Sequence, residues 1–217
     1  MTSEDKKLPA EPGKPSDDDD TSGRLRRLAA GEFQLFDWLV DRFDPWLMLG
    51  ATTRHRQLRE DARSQVSVED LVQEAWLRAF QHVSGATKMD PLGESYTRAM
   101  LAFFGTLLRN VSVDAVRRVT RSPVVEHRAS TAQSPSSGPS VKAERKERSL
   151  ALRQALLSLS RVDQALLVGY LMDEVPLHQV AAEQGITAEA ASKHVQRALK
   201  DLRKRFPYLA PFEFGES

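Results

Sequence analysis

Apolar residues in this chain recur every three to four positions and nowhere alternate over a convincing strand length, and that period constrains the fold more than any other feature. The clearest case is VSVEDLVQEAWLRAFQHV, residues 66–83, where Leu71, Val72, Ala75, Trp76, Ala79, Phe80 and Val83 follow one another at helical spacing. At about 100° per residue they fill a single face. Glu69, Asp70, Gln73, Glu74 and Gln81 fill the opposite face, with Leu77 in their midst. A leucine ringed by carboxylates reads either as an incidental exposed side chain or as the anchor of a docking surface.

Helical periodicity breaks at STAQSPSSGPS, residues 130–140, in which nine of eleven residues are Ser, Thr, Pro or Gly, the composition of a flexible connector. The expected fold is therefore all-α: two small helical domains joined by a flexible linker, the second carrying a helix-turn-helix. The expected boundaries are an acidic disordered tail at 1–23, a first domain at 24–121, a linker at 122–143, a second domain at 144–206 and an aromatic tail at 207–217. The first tail is broken by Pro9, Pro12, Gly13 and Pro15 and lacks apolar residues to offset the entropy of ordering. The last, FPYLAPFEFGES from Phe206, is apolar enough to pack on the second domain or to meet a regulator. In the first domain Leu35, Trp38, Leu39 and Phe43 predict an opening helix, and Pro45 with Trp46 and Leu47 predicts the start of the next.

Charge is segregated along the chain. The formal net charge is only +1, yet residues 1–20 carry seven acids against Lys6, Lys7 and Lys14, a net of −4, while residues 193–205 carry six bases against Asp201, a net of +5. The absence of cysteine excludes disulfides, thiolate nucleophiles and Cys-based zinc sites. No secretory leader is legible at the N-terminus. No apolar run approaches the roughly 18 residues of a membrane span, PWLMLGA at 45–51 being the nearest, so a cytoplasmic protein without a membrane partner is expected. His55, His82, His127, His178 and His194 are scattered, and no glycine loop for a nucleotide is present. No enzymatic chemistry, cofactor or metal is expected.

Two further segments carry binding chemistry. Residues from about 96 to 119 predict a helix that buries Leu107, Leu108, Val111 and Ala115 and sets Asn110, Asp114 and Arg117 along one side, with Phe103 earlier on that side and Arg121 following in the same phase. An aromatic, an amide and a ladder of arginines suit a melted strand through stacking and phosphate contact; the competing reading places Phe103 in the core and the arginines at a helix end. After the linker, Ser160 is positioned to cap one helix and Thr187 another. Ala181 stands four residues before Gly185, the spacing of a tight turn between two helices. The last helix buries Ala191, Val195, Ala198, Leu199 and Leu202, leaving Ser192, Lys193, Gln196, Arg197, Lys200 and Arg203 outward. This is a helix-turn-helix pattern, and its basic outer face suits duplex DNA.

The ordered run EDLVQEAWLRAF, LLRNVSVDAVRR, a Ser/Pro connector and QVAAEQGITAEAASKHVQRALKDLR resembles bacterial RNA polymerase sigma factors of the extracytoplasmic-function group over about residues 33–205. The resemblance implies that Glu69, Asp70, Gln73, Glu74 and Leu77 dock on core RNA polymerase. It implies that Asn110, Asp114, Arg117 and Arg118 read and open the minus-10 promoter element, with Phe103 in place of the usual tryptophan and Arg121 extending the ladder. The outer residues of the last helix, Ser192 to Arg203, would read the minus-35 element. Core polymerase and promoter DNA are the implied partners, with an anti-sigma factor or another regulator as a further one. The chain departs from the family at Glu189, Ala190 and Ala191, where Gly-Thr-Val is usual, so the promoter sequence does not carry over. Ser67 stands where an acid is common. A self-standing helix-turn-helix regulator that acts without polymerase is the alternative function.

Overall fold

The computed structural model describes residues 23–25, 27–28, 30–85, 96–121 and 139–209. The acidic tail up to residue 22, the connector up to residue 138 and the last eight residues lie outside the described residues. Every regular element among those described is helical. In chain order the α-helices are α1 (Phe36–Gln57), α2 (Glu60–Arg63), α3 (Val68–Gly85), α4 (Tyr96–Arg121), α5 (Pro139–Ser158), α6 (Arg161–Leu167, continued by a wider turn at Val168–Met172), α7 (Leu177–Glu183) and α8 (Ala188–Arg205), with short 3-10 turns at Phe33–Leu35 and Pro207–Leu209.

Helix α1 overturns one expectation. It runs 22 residues without a break and holds Pro45 inside it, where the sequence suggested a new helix. A proline in a helix interior costs about 3 kcal/mol. Burial of Phe43, Trp46, Leu47, Met48 and Leu49 on the same helix outweighs that, since each large apolar side chain removed from water contributes about 1.5–3 kcal/mol. Helix α5 begins at Pro139, so the last residues assigned to the connector are helical.

The chain turns sharply between α5 and α6, whose axes meet at 115°. Ser160 caps α6 by accepting from the Asp163 N–H at 3.1 Å, and Thr187 caps α8 by accepting from the Ala190 N–H at 3.2 Å. Both roles were legible in the sequence. Between α7 and α8, Gly185 adopts φ 69°. The Ile186 N–H reaches back to the Ala181 carbonyl at 3.0 Å and the Gly185 N–H to the Ala182 carbonyl at 3.1 Å, which satisfies the last carbonyls of α7 and aims the chain into α8.

The two helical groups meet. One continuous buried cluster takes Trp46, Phe104 and Leu108 from the first group together with Leu152, Leu156, Leu171 and Met172 from the second. Helix α5 lies along α1, and the turn after α6 lies on α4. Gly105 permits that second contact, because a Cβ there would collide with the Met172 carbonyl. Arg54 pairs with Asp173 across the seam and also donates to the Gly105 carbonyl at 3.2 Å. Arg56 donates to Gln164 at 2.7 Å, and the Arg98 guanidinium lies 5.1 Å from the centre of the Tyr170 ring.

Among the described helices α4, over Thr97–Arg121, is the one long and apolar enough by itself to cross a membrane, where the sequence suggested no such run and 45–51 as the nearest to one. Half of its apolar window is buried within the fold, where Leu101, Phe104, Leu108 and Val111 are core residues.

Candidate functional site

Helix α3 starts with a reciprocal cap. The Ser67 hydroxyl accepts from the Asp70 N–H at 3.0 Å, while the Asp70 carboxylate accepts from the Ser67 N–H at 2.9 Å and from its hydroxyl at 2.6 Å. This arrangement occupies two otherwise unpaired backbone donors. Ser67 thus has a structural task at the position where an acid was noted as usual. Asp70, expected to face a partner, turns back on its own helix. Glu74 is also engaged within the chain, at 2.9 Å from Arg78.

Glu69, Gln73 and Leu77 stand in solvent, and Leu77 is 44% exposed. The apolar side of this face is wider than its sequence suggested. Phe80, expected inward, is 41% exposed and lies 5.9 Å from the equally exposed Phe33, ring centre to ring centre. Its other edge meets Phe36 at 5.0 Å. Trp76 is half-buried between Phe36 and Phe104 and donates from Nε1 to Asp44 at 3.0 Å. Burial raises the Asp44 carboxyl above the usual aspartate range, although the Trp76 hydrogen bond and the Arg153 charge pull the other way.

On α4, Asn110, Arg117, Arg118 and Arg121 are exposed. Phe103 is half-buried against the core, with its ring 5.5 Å from Phe104 and 5.2 Å from His82. Asp114 is drawn toward α3: its carboxylate lies 2.9 Å from Arg78 and 3.7 Å from Arg117. Burial opposes the charge of Arg78, but hydrogen bonds to Asp114 and Glu74 outweigh it and raise its pKa above the ordinary arginine value. Arg78 was absent from the sequence-derived candidates. Its spacing of four from Glu74 was a readable signal; its reach to Asp114 was not, because it depends on how α3 crosses α4.

Helix α8 buries Ala191, Val195, Ala198, Leu199 and Leu202, as its periodicity predicted. Lys193, Gln196, Arg197 and Lys200 are exposed, Ser192 is half-buried, and Arg203 is more sheltered than expected for an outer residue. Lys193 pairs with Glu189 one turn earlier at 2.6 Å, an exposed pair that a phosphate can displace at little cost. His194 Nδ1 lies 2.7 Å from Asp163, tying α8 to α6.

No protein-family model matches the chain, and no curated protein matches it either. The candidate site rests on its own chemistry. It comprises an exposed acidic-apolar face on α3, an arginine ladder on α4 and a basic outer face on α8.

Proposed function

We propose that this chain is a sigma factor: it binds core RNA polymerase through α3, captures the melted minus-10 strand along α4 and reads minus-35 duplex with α8. The observation that favours this over a self-standing regulator is Leu77. A large apolar side chain held in water beside Glu69 and Gln73 has no use inside the fold, whereas a basic and apolar partner surface would bury it. The outer side chains of α8 supply phosphate and base-edge contacts. Phosphodiester formation belongs to the polymerase, and this chain contributes recognition and strand separation.

Leu77→Asp should abolish binding to core polymerase while leaving the helical circular dichroism spectrum and the unfolding midpoint unchanged, because Leu77 lies away from the buried stripe of α3. Unchanged affinity would remove the docking assignment. A native gel with the chain, core enzyme and promoter DNA recovered by run-off mapping tests the wider reading. Tight specific binding by the chain alone, with no open complex on addition of core, would establish the self-standing regulator instead.

A further inference from the structure

Four charges of alternating sign run from α3 to α4. Glu74 lies 2.9 Å from the Nε of Arg78, the Nη1 of Arg78 lies 2.9 Å from Asp114, and the other oxygen of Asp114 lies 3.7 Å from Arg117. Arg78 is 28% exposed, Glu74 31% and Asp114 40%, so the chain of charges sits at the edge of the fold, screened only in part. A guanidinium serves this geometry because its planar fork donates in two fixed directions, to carboxylates on two different helices.

The electrostatic consequence falls on the arginine ladder. Asp114 stands among Asn110, Arg117, Arg118 and Arg121, where an uncovered carboxylate would repel a phosphate chain. With Arg78 attached from the inner side, that charge is compensated. The carboxylate is also held where its second oxygen can steer Arg117.

We propose that Arg78 is a positioning residue that compensates and orients Asp114, so that the α4 ladder can hold a single strand once α3 has docked. This rests on the sigma reading of the two faces. Arg78 touches neither DNA nor polymerase in this role. It acts through Asp114 on one side and ties that carboxylate to the docking helix through Glu74 on the other.

The test is a double-mutant cycle in the full chain: Arg78→Ala, Asp114→Asn and both together, with Arg78→Lys as the conservative variant. Each is bound to core, and its capture of a single-stranded minus-10 probe from a promoter mapped with the wild type is measured against salt. Arg78→Ala should weaken strand capture about tenfold, with a shallower salt dependence, and change core affinity by no more than about threefold. In the Asp114→Asn background Arg78→Ala should cost little further, and Arg78→Lys, which can serve only one carboxylate well, should fall between the wild type and Arg78→Ala.

Equal cost of Arg78→Ala in the wild-type and D114N backgrounds would overturn the proposal. So would parallel losses of core binding, strand capture and unfolding midpoint, which mark a purely structural residue. If Arg78→Ala does not fold, Arg78→Lys in the two backgrounds decides the matter by the same comparison. A wild-type chain that neither binds core nor opens DNA with it would instead overturn the sigma reading itself.

Discussion

Asp44 shows how single residues here balance burial against pairing. Its carboxyl is removed from water beneath Trp76, and the hydrogen bond from the indole and the charge of Arg153 offset only part of the cost. With its pKa raised in the folded state, the folded chain binds that proton more tightly than the unfolded chain. Ionised Asp44 therefore opposes folding above its folded-state pKa, and the penalty vanishes as pH falls below the ordinary aspartate value. Asp44→Asn keeps an oxygen for Trp76 without the charge. The variant should be more stable than the wild type near about pH 7, with the gap closing by about pH 3, in urea unfolding across that range. A gap independent of pH would show that the carboxyl is not strained by burial. The site residues divide along similar lines. Exposure of Leu77, Arg117 and Lys200 was legible from helical phase alone. The engagement of Asp114 was not, because its partner Arg78 stands on another helix whose crossing a helical wheel leaves open, whereas Asp70 and Glu74 pair with Ser67 and Arg78 on their own helix at spacings the sequence displays.

At the level of elements, caps and turns were the most readable features, since their chemistry is local. Ser160, Thr187 and Gly185 stand where their residue types are needed. Thr187→Ala removes the acceptor for the Ala190 N–H at the start of α8. It should cost about 1 kcal/mol in urea unfolding, with Thr187→Ser recovering most of it. No loss would mean that water serves the cap equally well. Helix α1 is the converse case: Pro45 is a local signal for a break, and tertiary burial on both sides of it overrides that signal. Phe80 likewise belongs by phase to the buried side of α3, yet it is partly exposed, with ring contacts to Phe33 and Phe36.

Across the whole molecule the distinctive feature is the seam between the helical groups. Apolar contacts around Leu108, Leu152 and Met172 are flanked by the Arg54–Asp173 pair, with Arg109 at 3.6 Å from the same carboxylate. Burial lowers the pKa of Arg54; the attraction of Asp173 opposes that shift and the repulsion of Arg109 adds to it. Gly105 is the sharpest probe of this seam. Gly105→Ala places a methyl group against the Met172 carbonyl, backbone that cannot rotate away as a side chain would. It should cost about 1–3 kcal/mol in urea unfolding and enlarge the radius of gyration in small-angle scattering as the groups separate. Unchanged values for both would mean that the groups do not pack this closely in solution. The residues proposed to meet DNA on α8, including Arg197 and Lys200, remain exposed with the seam closed.

Taken alone, the sequence determined the all-helical class, the helix-turn-helix with its glycine turn and threonine cap, and the segregation of charge beneath a net of +1. Those follow from residues within one or two turns of each other, where backbone sterics and helical period act directly. Only the tertiary structure decided that α1 passes through Pro45, that Arg78 joins Glu74 to Asp114, and that the two groups share a core around Met172. Each of these depends on which faces of distant helices come together and in what register. That is set by the joint packing of many side chains, which a helical period read one segment at a time does not contain.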